Sequence, residues 1–271
     1  MGPLMECGGP GEAQGAGFPK RHFARGDSIY DQGDRADFVY NLVSGWVCLH
    51  QDMLDGRRQI GKFLVRGALF GLEPRDIPHG QGATALTPVV ICSIPTARFE
   101  EMRRHNATFN ERLLLMLECE NHLAVEALTA MGQGTAIERV ARILCELAVR
   151  LSGHEARCTD IAIEIPLTQR LIADAVGLTA IHVNRILRRL RLKRLVEWQN
   201  GVMSVRDLKR LVLLAGVSNG LLRLWRQDAA NAWALYVAGR PIPAMWSAGR
   251  ETSSHQASPA VKCVVAAIDP S

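Results

Sequence analysis

No two of the seven cysteines stand in a C-x-x-C pair. Cys7, Cys48, Cys92, Cys119, Cys145, Cys158 and Cys263 are irregularly spaced, so neither a zinc knuckle nor a redox dithiol is written locally. Most of them lie inside apolar segments, which predicts reduced, buried thiols in a cytosolic protein. Long apolar runs are missing as well. The longest, around Leu211–Val217, is far short of the roughly 20 residues of a membrane span, so no membrane partner is expected. The Gly-rich start lacks the apolar core of a secretory signal. Glu6 occupies the position where N-myristoylation needs Ser or Thr. These absences predict a cytoplasmic location.

What is present is enough to fold. The 271 residues are 48% apolar and 22% charged, a composition that buries a core and suits one large or two modest domains. A net charge of +5 allows an anionic partner without demanding one. Residues 1–20 carry six glycines and three prolines and are expected to form a disordered leader.

From 21 to 105 the texture is mostly short runs rich in Val, Ile, Phe and Tyr. Phe38–Val43, Trp46–His50, Gln59–Val65 and Val89–Ile94 are parted by Ser44-Gly45, Asp55-Gly56 and Thr87-Pro88. This rhythm predicts an antiparallel jelly-roll barrel within an α+β chain. Asp55-Gly56 is a signal for a tight primed hairpin turn. Such barrels also occur in metal-dependent enzymes of the cupin type. Here the barrel holds only His22, His50 and His79, with no His-x-His pair and no glutamate at ligand spacing. No catalytic residue, metal or cofactor is therefore assigned.

Helix follows. Over 106–134, Leu114, Leu117, Ala124, Leu128 and Met131 form one stripe, with Asn121 set in it. Phe109, Leu113, Met116, Leu123 and Ala127 form another. A helix with two apolar stripes is covered on two sides. One cover is the barrel. The other is a second copy of the same helix, with Asn121 fixing register, or a second domain of the same chain.

The segment Ile165–Leu192 is the most informative. Thr168 suits an N-cap, Gly177 a left-handed C-terminal cap, and Thr179 a second N-cap. Two short helices around a three-residue turn make a helix-turn-helix. On the second helix, Val183, Ile186, Leu187 and Leu190 share the core face. Ile181, Arg185, Arg188 and Arg189 lie opposite, flanked by His182 and Asn184. Six of the ten residues from Arg185 to Arg194 are Arg or Lys, set where phosphates and guanine edges would lie. Leu195–Trp198, Asn200-Gly201 and Val202–Val205 then read as a hairpin with a type I′ turn, a wing. Asp207–Ala215 reads as a closing helix.

In this order, barrel, long helix and winged helix resemble the Crp/Fnr superfamily of bacterial transcription regulators from about Phe23 to Ala215. The resemblance is carried by Gln32-Gly-Asp-Arg-Ala-Asp-Phe-Val-Tyr40 with Ser44-Gly45, by Thr135-Ala-Ile-Glu-Arg-Val-Ala141, and by Leu167–Thr179 with Asn184-Arg185. It implies a barrel sensor domain (21–105), a dimerisation helix (106–134), a winged helix-turn-helix (135–215) and a tail without counterpart (216–271). It further implies a homodimer on a palindromic double-stranded operator, acting with RNA polymerase. Thr168, Gln169, Thr179, Ile181, His182, Asn184, Arg185, Arg188 and Arg189 are the DNA-binding candidates. Gly71, Arg75 and Thr84 are the effector-pocket candidates.

Departures from the family pattern bear on the signal. Cyclic-nucleotide-binding members use a Gly-Glu and a later Arg-Ser/Thr; this chain has Leu72 for the glutamate, and Gly82-Ala83 or Ala83-Thr84 for the arginine pair. A buried phosphate without its arginine costs several kcal/mol, so cyclic AMP is not expected, although Arg75 offers a substitute cation. Iron–sulfur members need four thiolates, and only Cys92 and Cys7 fall near the required places. Haem ligation by His50, His79 or Cys48 and a thiol switch at Cys119 or Cys145 stay open, though the latter two read as buried and inert. Familiar members often carry glutamate at Ile181 and serine or glycine at Asn184, which implies a different operator. Three of the five tryptophans, Trp225, Trp233 and Trp246, lie in the tail, where Leu221–Val237 reads as one helix.

Overall fold

The computed structural model describes residues 18–74, 76–152 and 161–225. The expected leader lies outside them up to residue 17, as do Arg75 and the tail beyond Trp225.

Eight strands build the barrel: β1 (Lys20–Phe23), β2 (Ser28–Tyr30), β3 (Phe38–Ser44), β4 (Val47–Asp52), β5 (Arg58–Leu64), β6 (Leu69–Phe70), β7 (Gly82–Ala85) and β8 (Val89–Pro95). They form two four-stranded antiparallel sheets, β1-β8-β3-β6 and β2-β7-β4-β5, with Leu42, Val47, Ala83 and Ile91 sealed between them. The β4–β5 turn differs from expectation. Gly56 N–H donates to the Met53 carbonyl, and Met53 N–H to that of Arg57. Gly56 has φ +82° while Asp55 keeps a negative φ. The loop is thus a type I turn followed by a left-handed glycine, the three-residue alternative to a primed turn. An Arg58–Asp52 fork closes it, at 2.6 and 2.8 Å.

Next come α1 (Thr96–His105) and α2 (Ala107–Gln133). Asn106 caps α2 by accepting from the Phe109 N–H at 2.9 Å. Phe109, Leu113 and Met116 pack with Val39, Ile94 and Phe99 on the outside of the barrel. That cover ends after the first half of α2: Leu123 is half-buried and Ala127 exposed. The other stripe is open over most of its length, with Leu114 54%, Leu117 43% and Leu128 73% exposed and Met131 half-buried.

The remaining elements are α3 (Ala136–Leu151), β9 (Ile161–Glu164), α4 (Gln169–Val176), α5 (Ala180–Leu192), β10 (Val196–Gln199), β11 (Val202–Val205) and α6 (Leu208–Leu214). The Glu138 side chain accepts from the Thr135 N–H and caps α3. The strands form a β10-β11-β9 sheet. Asn200 and Gly201 at its hairpin both have positive φ, +51° and +78°, the type I′ turn expected. The core of this half extends past Ala215. Val217, Leu221, Leu222 and Trp225 are buried with α3 and α6, so the start of the tail completes the winged-helix core. Residues 219–225 are helical; the rest of the helix expected to Val237 lies outside the described residues.

Candidate nucleic-acid interface

The sequence builds α4 and α5 locally. Thr168 Oγ1 accepts from the Leu171 N–H and Thr179 Oγ1 from the His182 N–H, each at 3.2 Å. Between them Gly177 sits at φ +65°, and the Leu178 N–H reaches back to the Ala173 carbonyl at 3.0 Å. That pairing closes a helix with a left-handed residue, a conformation that costs most side chains about 1 kcal/mol or more. The turn angle between the helices is therefore written in three residues.

Packing decides which face of α5 is free. Val183, Ile186 and Leu190 are buried, and Leu187 half-buried. Ile181, His182, Asn184, Arg185, Arg188 and Arg189 are all exposed, as are Thr168 and Gln169 at the start of α4. Asn184 Nδ2 donates to Gln169 Oε1 at 3.0 Å, tying the two helices at the surface. No carboxylate among the described residues lies within ion-pair distance of Arg185, Arg188 or Arg189. Arg191 differs: it lies 3.5 Å from Glu197, which Arg206 also contacts. A polar cleft of about 510 Å³ separates α5 from the wing, lined by Gln169, Asn184, Arg188, Arg191, Trp198 and Asn200. An exposed arginine row beside a polar cleft and a hairpin can lie along a phosphate backbone and reach a groove edge.

Aromatic rings pack together in the barrel near the expected effector position. Tyr30 stacks on His79 at 3.8 Å, and Tyr40 stacks between Tyr30 and Phe70, 5.3 Å from each. Gly71 takes φ +74°, and a Cβ there would come within 2.8 Å of the Tyr40 ring. A Cβ at Gly82 would meet His50 Cε1 at 2.8 Å, so position 82 has no room for an arginine. Thr84 Oγ1 is hydrogen-bonded to His50 Nε2 at 2.8 Å. Burial, then the nearby Arg58, holds the His50 imidazole below its ordinary pKa. Leu72 packs against the cluster under α1 and α2 and offers no acceptor. Gly71 thus packs under Tyr40 and Thr84 bonds His50, while Arg75 lies outside the described residues.

Burial pushes the Cys48 thiol up to about 11 and raises that of Cys145 further. Both are poor nucleophiles at neutral pH. Cys48 and Cys145 are free and buried, as expected, whereas Cys119, expected to be buried, is free but only half-buried. Among the described residues no three His, Cys, Asp or Glu side chains group as a metal site, and no helix is long and apolar enough to cross a membrane.

Contacts joining the barrel to the winged helix were not legible in the sequence. Gln59 Nε2 on β5 donates to the Ala175 carbonyl of α4 at 3.0 Å. Within the winged helix, Arg139 on α3 donates to the Val176 carbonyl of α4 at 3.1 Å. Only the position of Arg142, between apolar residues of α3, hints that it is buried.

A jelly-roll barrel carrying a winged helix with an exposed basic recognition face defines a one-chain DNA-binding regulator. Residues 20–106 match the cyclic nucleotide-binding domain and residues 138–214 the Crp-like helix-turn-helix domain. The chain is 32% identical to the transcriptional activator protein FnrL of Cereibacter sphaeroides over 195 residues, 71% of this chain and 75% of that one. It is 30% identical to the nitrogen fixation regulation protein FixK of Rhizobium meliloti over 171 residues, 63% and 74% of the two chains. The structure of FixK2 from Bradyrhizobium japonicum superposes with a TM-score of 0.67 at 27% identity, covering 74% of this chain and 98% of that one. The chain belongs to the Crp/Fnr superfamily of bacterial transcription regulators. It is a DNA-binding regulator of transcription, and its family is not one of enzymes.

Proposed function

We propose that the protein binds a palindromic operator as a homodimer, with α5 of each copy in successive major grooves, and acts there with RNA polymerase. The observation that carries this reading is the exposed row of Arg185, Arg188 and Arg189, unpaired by any carboxylate among the described residues, opposite the buried Val183, Ile186 and Leu190. Arg185, near the start of α5, reads a guanine through O6 and N7. Ile181 touches a thymine methyl, while His182 and Asn184 flank the reading face. Thr168, Gln169 and Thr179 place helix N-termini and short polar side chains against phosphates.

The second copy sits on the open stripe of α2. Leu114, Leu117, Asn121, Ala124, Leu128 and Met131 follow a three–four alternation over 18 residues, the seam of a paired helix. The exposure of its leucines gives the seam an apolar surface to bury. Domains are divided at 105, 134 and 215 as the sequence suggests, with the winged-helix core extended to Trp225.

The signal is neither cyclic AMP nor an iron–sulfur cluster. The crowding of Gly82 by His50 and the packing of Leu72 support the first part. The test is binding of the full chain to operator and to random duplex across a salt series. The expected result is a specific preference together with a steep salt slope. Equal, weak binding to both duplexes would contradict the reading.

A further inference from the structure

Between β5, the end of α2, α3 and α4 lies a cavity of about 100 Å³, at the junction of the barrel with the winged helix. It holds more than one water, whose share of liquid volume is about 30 Å³. Part of its wall is apolar: Ile60, Phe63, Ala130, Met131, Ile143 and Leu147. The rest is mostly cationic, from Lys62, Arg139, Arg142 and Arg150, with Glu146 as the one carboxylate of the lining.

That carboxylate is committed. Arg150 donates to Glu146 at 3.0 Å and Lys62 pairs with Glu120, which leaves two arginines to account for. Arg139 uses one amino group on the Val176 carbonyl, but its Nε is buried with no hydrogen-bond partner. Arg142 is deeper, its side chain 10% exposed, with Glu126 3.8 Å away and the Trp225 ring at 5.7 Å. A carboxylate at that distance is beyond a hydrogen bond. A buried cation without a hydrogen-bonded carboxylate is costly, although Glu146 one turn along α3 also acts on its charge.

We propose that this cavity is a binding site for a small organic carboxylate, its anion held between Arg139 and Arg142 and its apolar body against Phe63, Ala130 and Ile143. The site is separate from the aromatic cluster in the barrel and from the DNA-facing cleft. Because β5 belongs to the barrel and α3 and α4 to the winged helix, an occupant touches both. It therefore favours the arrangement that brings both walls to it. The mixed wall argues for a carboxylate with an apolar body over inorganic phosphate, which would leave the apolar side unfilled.

The test uses the full chain without DNA, so it does not depend on the operator reading. Calorimetric titrations with benzoate, hexanoate and inorganic phosphate are compared, each alongside a thermal melt. The expected result is one site per chain for benzoate or hexanoate. At a hundredfold excess over its dissociation constant, a rise in melting temperature of about 5–10 °C is expected. Arg142→Met should fold and melt no lower than wild type without ligand, since it removes a buried, poorly paired charge, and should lose at least tenfold in affinity. Ala130→Leu fills the cavity without touching a charge and should abolish binding. Binding of phosphate alone, binding unchanged in both variants, or no saturable binding by either carboxylate would each overturn the proposal.

Discussion

Replacing Leu117 and Leu128 with glutamate separates the fold of one copy from its pairing. The two side chains are 43% and 73% exposed on α2, and neither belongs to a buried cluster. Burying a leucine fully is worth about 1.5–3 kcal/mol; at these exposures each contributes about 1–2 kcal/mol to a paired seam. A two-fold dimer repeats both contacts, giving about 4–8 kcal/mol. Losing them weakens association by about 10³–10⁶-fold, before the cost of burying the new carboxylates. Analytical ultracentrifugation at micromolar concentration should show a dimeric wild type and a monomeric double variant. Circular dichroism and melting at low concentration should show that the variant still folds, and its DNA affinity should fall sharply. A wild type that sediments as a monomer with full DNA affinity refutes the reasoning. So does a double variant that stays dimeric.

Cyclic AMP at millimolar concentration should leave both melting temperature and DNA affinity unchanged; a clear upward shift would restore the barrel as its site and point to Arg75. His50 titrates below its ordinary range in the folded chain, so the unfolded chain binds the extra proton first as pH falls past about 6.5. Stability is therefore fully present above that pH and declines below it; His50→Gln should flatten this decline in melts between pH 7.5 and 5.5, and an unchanged slope would contradict the assignment. Thr168→Ala removes an N-cap and should lower stability by about 1 kcal/mol in urea unfolding. Lys193→Ala should weaken all DNA sequences alike and reduce the salt slope by about one, whereas Arg191, already shared with Glu197, should change it less.

What could be read from the sequence follows from how local each device is. Thr168, Gly177 and Thr179 act within a few residues, and a cap or a left-handed glycine is the same in isolation as in the fold. The same holds for Asn200-Gly201. Asp55-Gly56 misled because a dipeptide does not fix loop length: glycine closes a three-residue loop as well as a two-residue one. The crowding of Gly82 by His50 depends on the pairing of β4 with β7, a contact across more than thirty residues that no local pattern encodes. Arg142 and Trp225 meet across the core, and the scattered composition of the tail hid Trp225 as a core residue. The two stripes of α2 were legible, but only packing shows that the barrel covers one of them for half its length.

The central claim is that α5 reads sequence through Arg185. Selection from a randomised operator library by wild type and by the Arg185→Ala variant tests it most directly. The account predicts a two-fold symmetric site with half-sites about one helical turn apart. It predicts a guanine in each half-site whose preference flattens in the variant, at a cost of about 1–3 kcal/mol per half-site. If wild type and variant select the same base at every position, Arg185 does not read the operator and the account is wrong at its centre.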